Sequence, residues 1–562
     1  MRLSLIYACA PLVLLVACAG GSPDVGAAPG TAVSSYGMFL AGDAALADGR
    51  SGEASKFFEM ARAAGGDETL VSERAFTAAL MAGDITKAAA LAPTGDQASE
   101  ASKRLGRLVG GVEALATGKG KPARELLAVE TIGFPHRSAA ALLSPWAAAE
   151  AGDLDASLVR PQVRGDAFVE YFGQLGQAYL YERARRYDEA ETDFKAITST
   201  DASSELALLA YGGFLERRGR KAEAVTLYDA ALVGETGSIA LRGARARAAA
   251  GRAAPPAPSI REGAALALMA PAAGMVTAKQ TQIGVAYLRL ALRLDPQRND
   301  AWLMIGDFLQ ASGDSEAARA AYGRPKPGSA EYPTSQAKLA WTYQSAGDKV
   351  TAIKLARAAA ATGDADARLT LSDLLRSNDQ YPEAAEVLNG LIRDEKDPDW
   401  RLFYARGVVL DRLGRWPEAE ADLLAAVKAR PNEPELLNYL GYTWIDRGER
   451  LPEAMAMVEK AVAANPRSGA MVDSLGWAYY RMGDYKKAIE RLEQAVELEA
   501  GDPDINHHLG DAYWRVGRRD EAVFQWRRVL TLKPDAKTKA AVETKLATGL
   551  GPDGPAKKIA GQ

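Results

Sequence analysis

At 562 residues the chain is too long for one ordinary globular core, so several domains or a repeat array are expected. Apolar residues make up 48% and charged residues 25%, which excludes wholesale disorder; alanine, the best helix former, dominates the apolar set, and aromatics are only 7%. A net charge of −4 leaves no electrostatic case for nucleic acid or an acidic membrane surface as a partner.

Arg2 precedes an apolar run from Leu3 to Ala17, interrupted by Ser4 and Pro11. That is about 15 residues, short of the roughly 20 a spanning helix needs, and it suits the apolar region of a secretory signal. The run ends in Leu15-Val16-Ala17-Cys18, which resembles the lipobox of bacterial lipoproteins. The resemblance implies cleavage before Cys18 and acylation of its thiol, so that 1–17 is a signal peptide and 18–35 a lipidated flexible tether. Cys9, the only other cysteine, leaves with the signal, and the mature chain then has no disulfide and no cysteine-ligated metal. Ala19, where an aspartate would imply retention at the inner membrane, points to the outer membrane by the same resemblance. The alternative is an uncleaved apolar N-terminus with incidental cysteines.

From about residue 36 a period near 34 residues sets in. Gly42, Gly49, Ala54, Phe58 and Ala61 form a first unit, and Phe76, Gly83 and Ala88 follow 34 residues on. Residues 95–165 keep helical periodicity but lose this register around Gly118 and Gly152, which predicts degenerate helical hairpins. Gly176 and Tyr179 then begin a unit with two residues inserted before Ala190. Gly212, Leu215, Gly219, Ala224 and Ala231 restore the pattern. Residues 36–248 are thus read as divergent helical repeats.

Gly251, Pro255, Pro256 and Pro258 make 249–261 a proline-rich loop or hinge, with the array bending between two segments there. Pro271 and Gly274 are expected to interrupt the next helix. Leu288 to Leu294, closed by Pro296, reads as the second helix of a unit starting near Glu262. Gly306, Gly313 and Ala318 follow Trp302; Ala340, Tyr343, Gly347 and Ala352 come 34 residues later; Ser372, Leu375 and Ala384 form a unit without a turn glycine.

The pattern is sharpest toward the C-terminus. Gly407, Gly441, Gly476 and Gly510 recur at intervals of 34, 35 and 34 residues. Seven residues past each comes Gly414, Gly448, Gly483 or Gly517, and then Ala419, Ala454, Ala488 or Ala522; Pro431, Pro466 and Pro534 close three of the units. Each position has a physical reason. The first glycine and the alanine are small where two helices of a hairpin cross. The second glycine supplies the left-handed conformation that ends a helix, and proline cannot continue one. This small-small-proline spacing is that of the tetratricopeptide repeat. Residues 262–536 are read as the main array, and 537–562 as a short helix and a disordered tail. The fold class is therefore all-α, a right-handed solenoid of helical hairpins.

Stacked hairpins bury a continuous core and curl into a superhelix whose first helices line the inner groove. With the crossing glycine at position eight, positions five, nine, twelve and thirteen point inward. These are Tyr404 and Arg412; Asn438 and Tyr442; Asp473, Trp477, Tyr480 and Arg481; and His507, Asp511, Trp514 and Arg515. Aromatic and arginine side chains dominate protein interfaces, so these twelve are the candidate partner-binding groove. Packing of the aromatics between repeats, and solvation of the arginines on a helix face, remain the alternatives.

Nothing points to an enzyme. Of three histidines, His136 lies in a loop-like stretch beside Pro135, and the adjacent His507 and His508 diverge by about 100° on a helix. Neither a phosphate-binding loop nor a Gly-x-Ser-x-Gly elbow is present. Carboxylates such as Glu490, Glu493 and Glu497 fall on a solvated helix face, and no cofactor is implied.

The whole resembles the large tetratricopeptide lipoproteins of Gram-negative bacteria, most specifically from Leu437 to Trp526, with Leu-Asn-Tyr-Leu-Gly-Tyr, Asp-Ser-Leu-Gly-Trp-Ala-Tyr-Tyr-Arg and His-Leu-Gly-Asp-Ala-Tyr-Trp in succession. The resemblance implies a lipid-anchored scaffold of the cell envelope, at the outer membrane with its repeats facing the periplasm. It further implies an adaptor that brings a carboxyl-terminal processing protease together with peptidoglycan hydrolases. The alanine-rich N-terminal half matches that group less well, and an assembly, pilotin-like or polysaccharide-export helper is the alternative.

Overall fold

The structure, a computed structural model, describes residues 34–551 except 66–67, 200–203, 235–237, 278–279 and 396–397. The expected signal peptide, Cys18 and the residues from 552 onward lie outside the described residues. Those described fold into 31 helices without a strand, from Ser35–Ala47 to Ala536–Thr548. They form two compact units that divide after Asp364.

In the first unit the repeat register runs further than the sequence suggested. Residues 95–165 do not lose it. Gly111, Gly118 and Ala123 take the three positions across the hairpin of Glu100–Ala116 and Gly120–Leu126. Pro145, Gly152 and Ser157 take them across Arg137–Glu150 and Leu154–Ser157. The signal was hidden because proline and serine stand at two of the small positions and the second helices last two turns or less. The unit of Ala167–Arg183 and Tyr187–Thr198 needs no insertion either. Its crossing residue is the fully buried Ala178, not Gly176, and its turn residue is Arg185, held at φ 60° where most of the turns use glycine.

The proline-rich segment lies inside the first unit and follows a repeat that stops halfway. Ile239–Ala249 is a first helix, Gly251 turns the chain at φ 66°, and 252–259 then run without helix where a second helix would stand. Beyond it the chain doubles back. Helix Ile260–Thr277 packs on Arg137–Glu150 and Ala167–Arg183, and its partner Thr281–Leu294 packs on Glu68–Ala82 and Glu100–Ala116. The early repeats therefore wrap around a helical hairpin of their own chain. Ala264, Ala265, Leu268, Ala272, Leu288 and Leu290 are fully buried in it.

This burial explains why Ile260–Thr277 runs through Pro271 and Gly274 instead of breaking there. An interior proline costs about 3 kcal/mol, but a helix apolar on every side gains about 25 cal/mol per Å² removed from water. No described helix is long and apolar enough to cross a membrane. Polar ties pin the hairpin as well. Arg293 pairs with Glu113 at 2.7 Å, the Arg289 Nε donates to the Met81 carbonyl at 3.0 Å, and the Tyr287 hydroxyl meets His136 Nδ1 at 2.7 Å. Two further hairpins, Asn299–Ala311 with Ser315–Tyr322 and Tyr332–Ser345 with Lys349–Ala360, complete the unit.

The second unit opens with Ala365–Ser377 and Tyr381–Asp394 and continues with four regular repeats. Repeat 1 is Trp400–Arg412 and Trp416–Ala429; repeat 2, Pro434–Arg447 and Leu451–Ala464; repeat 3, Gly469–Arg481 and Tyr485–Leu498; repeat 4, Pro503–Arg515 and Arg519–Thr531. Helix Ala536–Thr548 packs on repeat 4, in the place a further first helix would take. The crossing glycines do what their spacing implied: a Cβ on Gly476 would stand 2.7 Å from Leu492 Cγ, and one on Gly510 2.5 Å from Trp526 Cδ1. First helices of repeats 2, 3 and 4 touch one another across repeats, so they form the inner wall of this unit.

Candidate partner-binding wall

The wall is built on positions five to thirteen of the first helices of repeats 1–4. Repeat 1 contributes Tyr404, half-buried and edge-on to Tyr439 of repeat 2 with ring centroids 5.8 Å apart, and Arg412, which is exposed. The Tyr439 hydroxyl donates to Asp411 at 3.1 Å. Burial pushes the Tyr404 hydroxyl up to about 12. Repeat 2 adds Asn438 and Tyr442, both half-buried; the buried Oδ1 of Asn438 has no hydrogen-bond partner.

Repeats 3 and 4 meet in a stack of three rings. Trp477 lies between Tyr480, at 4.5 Å and 7°, and His508, at 4.1 Å and 17°. Tyr442 stands 6.5 Å from the His508 ring. His508 Nδ1 is 2.9 Å from Asp473, with which it is buried. Burial acts to lower the His508 pKa, but Asp473, reinforced by Asp511 and Asp504, more than offsets this and raises it. Asp504 itself is raised by burial, against the pull of His508. Burial, then Asp446, Asp473 and Asp504, raise the Tyr442 hydroxyl.

Several expected groove residues sit inside the array, not on an open wall. Trp477 is only 9% exposed, and Asp473 and Asp511 are buried. Asp511 accepts from Trp526 Nε1 at 3.0 Å and from Lys545 Nζ at 2.6 Å. Lys545, on Ala536–Thr548, also donates to His507 Nε2 at 2.6 Å. Burial, with Asp511 opposing and Lys545 assisting, brings the His507 pKa down to about 4. Trp514 is not brought to Trp477: it packs on Trp526 at 5.1 Å, beneath the Arg519 guanidinium at 3.7 Å. The two arginines expected to line the groove instead stitch neighbouring repeats. Arg481 donates to the Asp446 carbonyl at 2.7 Å, and Arg515 to the Tyr480 hydroxyl at 3.1 Å and the Gly551 carbonyl at 3.2 Å.

What stays accessible is thus the stretch over repeats 1–3: Tyr404, Arg412, Asn438, Tyr442 and the rim of Tyr480. Sequence reasoning missed His508 and Tyr439, and it passed over Asp411, which stands at position twelve of repeat 1. His508 and Tyr439 stand at position six, which faces the first helix of the preceding repeat. A bulky polar residue there, opposite an aspartate one repeat back, is the signal that could have found them. Among the described residues no group of three or more histidines, carboxylates or cysteines could hold a metal.

Tetratricopeptide-repeat models match four stretches: residues 175–238 and 404–468, 476–517, and 503–536. No curated protein matches the chain. Among solved structures, MamA from Desulfovibrio magneticus RS-1 shares 25% identity over 30% of this chain and 94% of its own, with a TM-score of 0.27. A thermophilic repeat protein of Thermus thermophilus shares 23% over 33% and 99%, at 0.30. The Cut9–Hcn1 hetero-tetramer of the APC/C shares 14% over 92% and 97%, at 0.39. No catalytic family is among these matches. From the hairpin geometry and the matched stretches together, the described residues form two all-helical units, and residues 175–238, 404–468 and 476–536 within them are tetratricopeptide repeats.

Proposed function

We propose that the chain is a non-catalytic scaffold that holds a segment of a partner protein along the inner wall of repeats 1–3. In this reading Cys18 is acylated and tethers the repeats to the outer membrane, facing the periplasm. The partners are envelope proteins, and the resemblance noted above suggests a carboxyl-terminal processing protease and the peptidoglycan hydrolases it cuts. The observation that carries the binding site is the succession of half-open Tyr404, Asn438 and Tyr442 on adjacent first helices.

A photo-crosslinking residue placed at Tyr404, with mass-spectrometric identification of what it captures in envelope extracts, tests the reading. Capture of a protease and cell-wall hydrolases supports it. Secretion or export components would favour an assembly helper instead. Equal capture from Phe524, 61% exposed on the second helix of repeat 4, would remove the inner wall as the site.

A further inference from the structure

The inner groove of the first unit is mostly filled by its own hairpin, but one stretch is left, over helices Ala167–Arg183, Glu205–Arg217 and Ile239–Ala249. The proline-rich segment crosses this stretch. Prolines 255, 256 and 258 hold it extended, and its backbone is held at two points: Arg217 of the wall donates to the Pro255 carbonyl at 3.2 Å, and Lys221, at the start of helix Lys221–Gly234, to the Gly251 carbonyl at 2.6 Å. Because this segment stands where the second helix of a repeat would stand, it leaves a cleft of about 330 Å³ between itself and the wall. That is within the roughly 300–1,000 Å³ typical of ligand sites.

Leu206, Leu209, Ala240 and Ala244 line one side, and Pro256 and Pro258 the other. Tyr179 reaches into it, 8% exposed, with no hydrogen-bond partner for its hydroxyl among the described residues. Burial pushes that hydroxyl up to about 12, so it stays a donor. Arg217 and Arg247 also border the cleft, but each is locked to a buried carboxylate. Arg217 pairs with Glu182 at 2.7 Å and Arg247 with Glu216 at 2.7 Å. Two cations against two carboxylates leave no net charge to draw an ionic ligand. Donors at one end with apolar walls elsewhere call for an uncharged carbonyl attached to an apolar body.

We infer that this cleft is a second peptide site, separate from the wall of repeats 1–3, and that it takes a proline-rich extended segment of a partner whose backbone carbonyl accepts from Tyr179. The same wall already holds such a segment of this chain through an arginine-to-carbonyl bond. A proline-rich strand also loses little conformational entropy on docking.

The test uses the full chain and a fluorescein-labelled, amidated Ala-Pro-Pro-Ala-Pro-Leu peptide, read by anisotropy. Saturable binding is expected. Tyr179→Phe removes only an unpaired hydroxyl, so the melting temperature should hold while affinity falls about five- to tenfold, the worth of one buried hydrogen bond. Ala240→Leu, which narrows the cleft, should weaken binding further, and Tyr404→Ala in the second unit should leave it unchanged. No saturable binding at millimolar peptide, or equal affinity in wild type, Tyr179→Phe and Ala240→Leu, would overturn the inference. So would loss of binding in Tyr404→Ala alone.

Discussion

Gly263 offers a sharp test of whether the early repeats really close on their own hairpin. It lies on Ile260–Thr277, and a Cβ there would stand 2.1 Å from Trp146 Cη2 and 2.3 Å from Cζ3, with Trp146 only 2% exposed. Alanine is about 1 kcal/mol better than glycine inside a helix. Overpacking a core costs about 1–3 kcal/mol, and contacts this far inside van der Waals distance against a rigid buried ring belong at the upper end. Gly263→Ala should therefore destabilise by about 2 kcal/mol. Gly243, on the exposed face of Ile239–Ala249, meets nothing within 4 Å, so Gly243→Ala should stabilise by about 1 kcal/mol. One chemical change thus has opposite signs at two sites. Circular dichroism in urea gives the midpoints, and hydrogen exchange in Arg137–Glu150 and Ile260–Thr277 places the loss. Adding Trp146→Phe to Gly263→Ala should recover part of it, since the two residues touch and couple. If Gly263→Ala were as stable as Gly243→Ala, the hairpin would not be seated against Trp146 and the closed first unit would be wrong.

His508 titrates above its ordinary value of about 6.5, so the stability it contributes is full below that pH and is lost as pH rises through the folded value. Asp473→Asn should flatten this alkaline loss in melting curves taken from pH 6 to 9. His507 behaves oppositely. With its folded value near 4, its contribution is present above about 6.5 and declines as pH falls toward 4, so His507→Gln should reduce the acid-side loss. Arg412→Glu, at an exposed residue, should weaken partner capture at Tyr404 without moving the melting temperature, whereas Arg481→Glu should lower it by breaking the bond to the Asp446 carbonyl. Cys18→Ser should abolish palmitate labelling and membrane retention; equal labelling of the variant would remove the anchor.

The candidate wall was half legible. Positions five, nine, twelve and thirteen did select the side chains on the first helices of the repeats, because those offsets follow from helical geometry alone. Which of them stay open did not follow. Trp477 is exposed or buried according to whether a flat ring lies opposite, and His508 supplies one from the next repeat. Asp511 and His507 are taken by Lys545, on the short helix that the sequence placed beyond the array.

The repeat itself was determined by sequence, because close helix crossing and a left-handed turn each demand particular small residues at fixed offsets. Where those demands were met by Pro145, Ala178 or Arg185, the pattern could not be seen, though the backbone still followed it. That the early repeats enclose the hairpin of Ile260–Thr277 and Thr281–Leu294 only the tertiary structure decided. Local periodicity shows that a helix is apolar on every side, but not which surface covers it. Here the covering surface comes from helices Glu68–Ala82, Glu100–Ala116, Arg137–Glu150 and Ala167–Arg183, several repeats earlier in the chain.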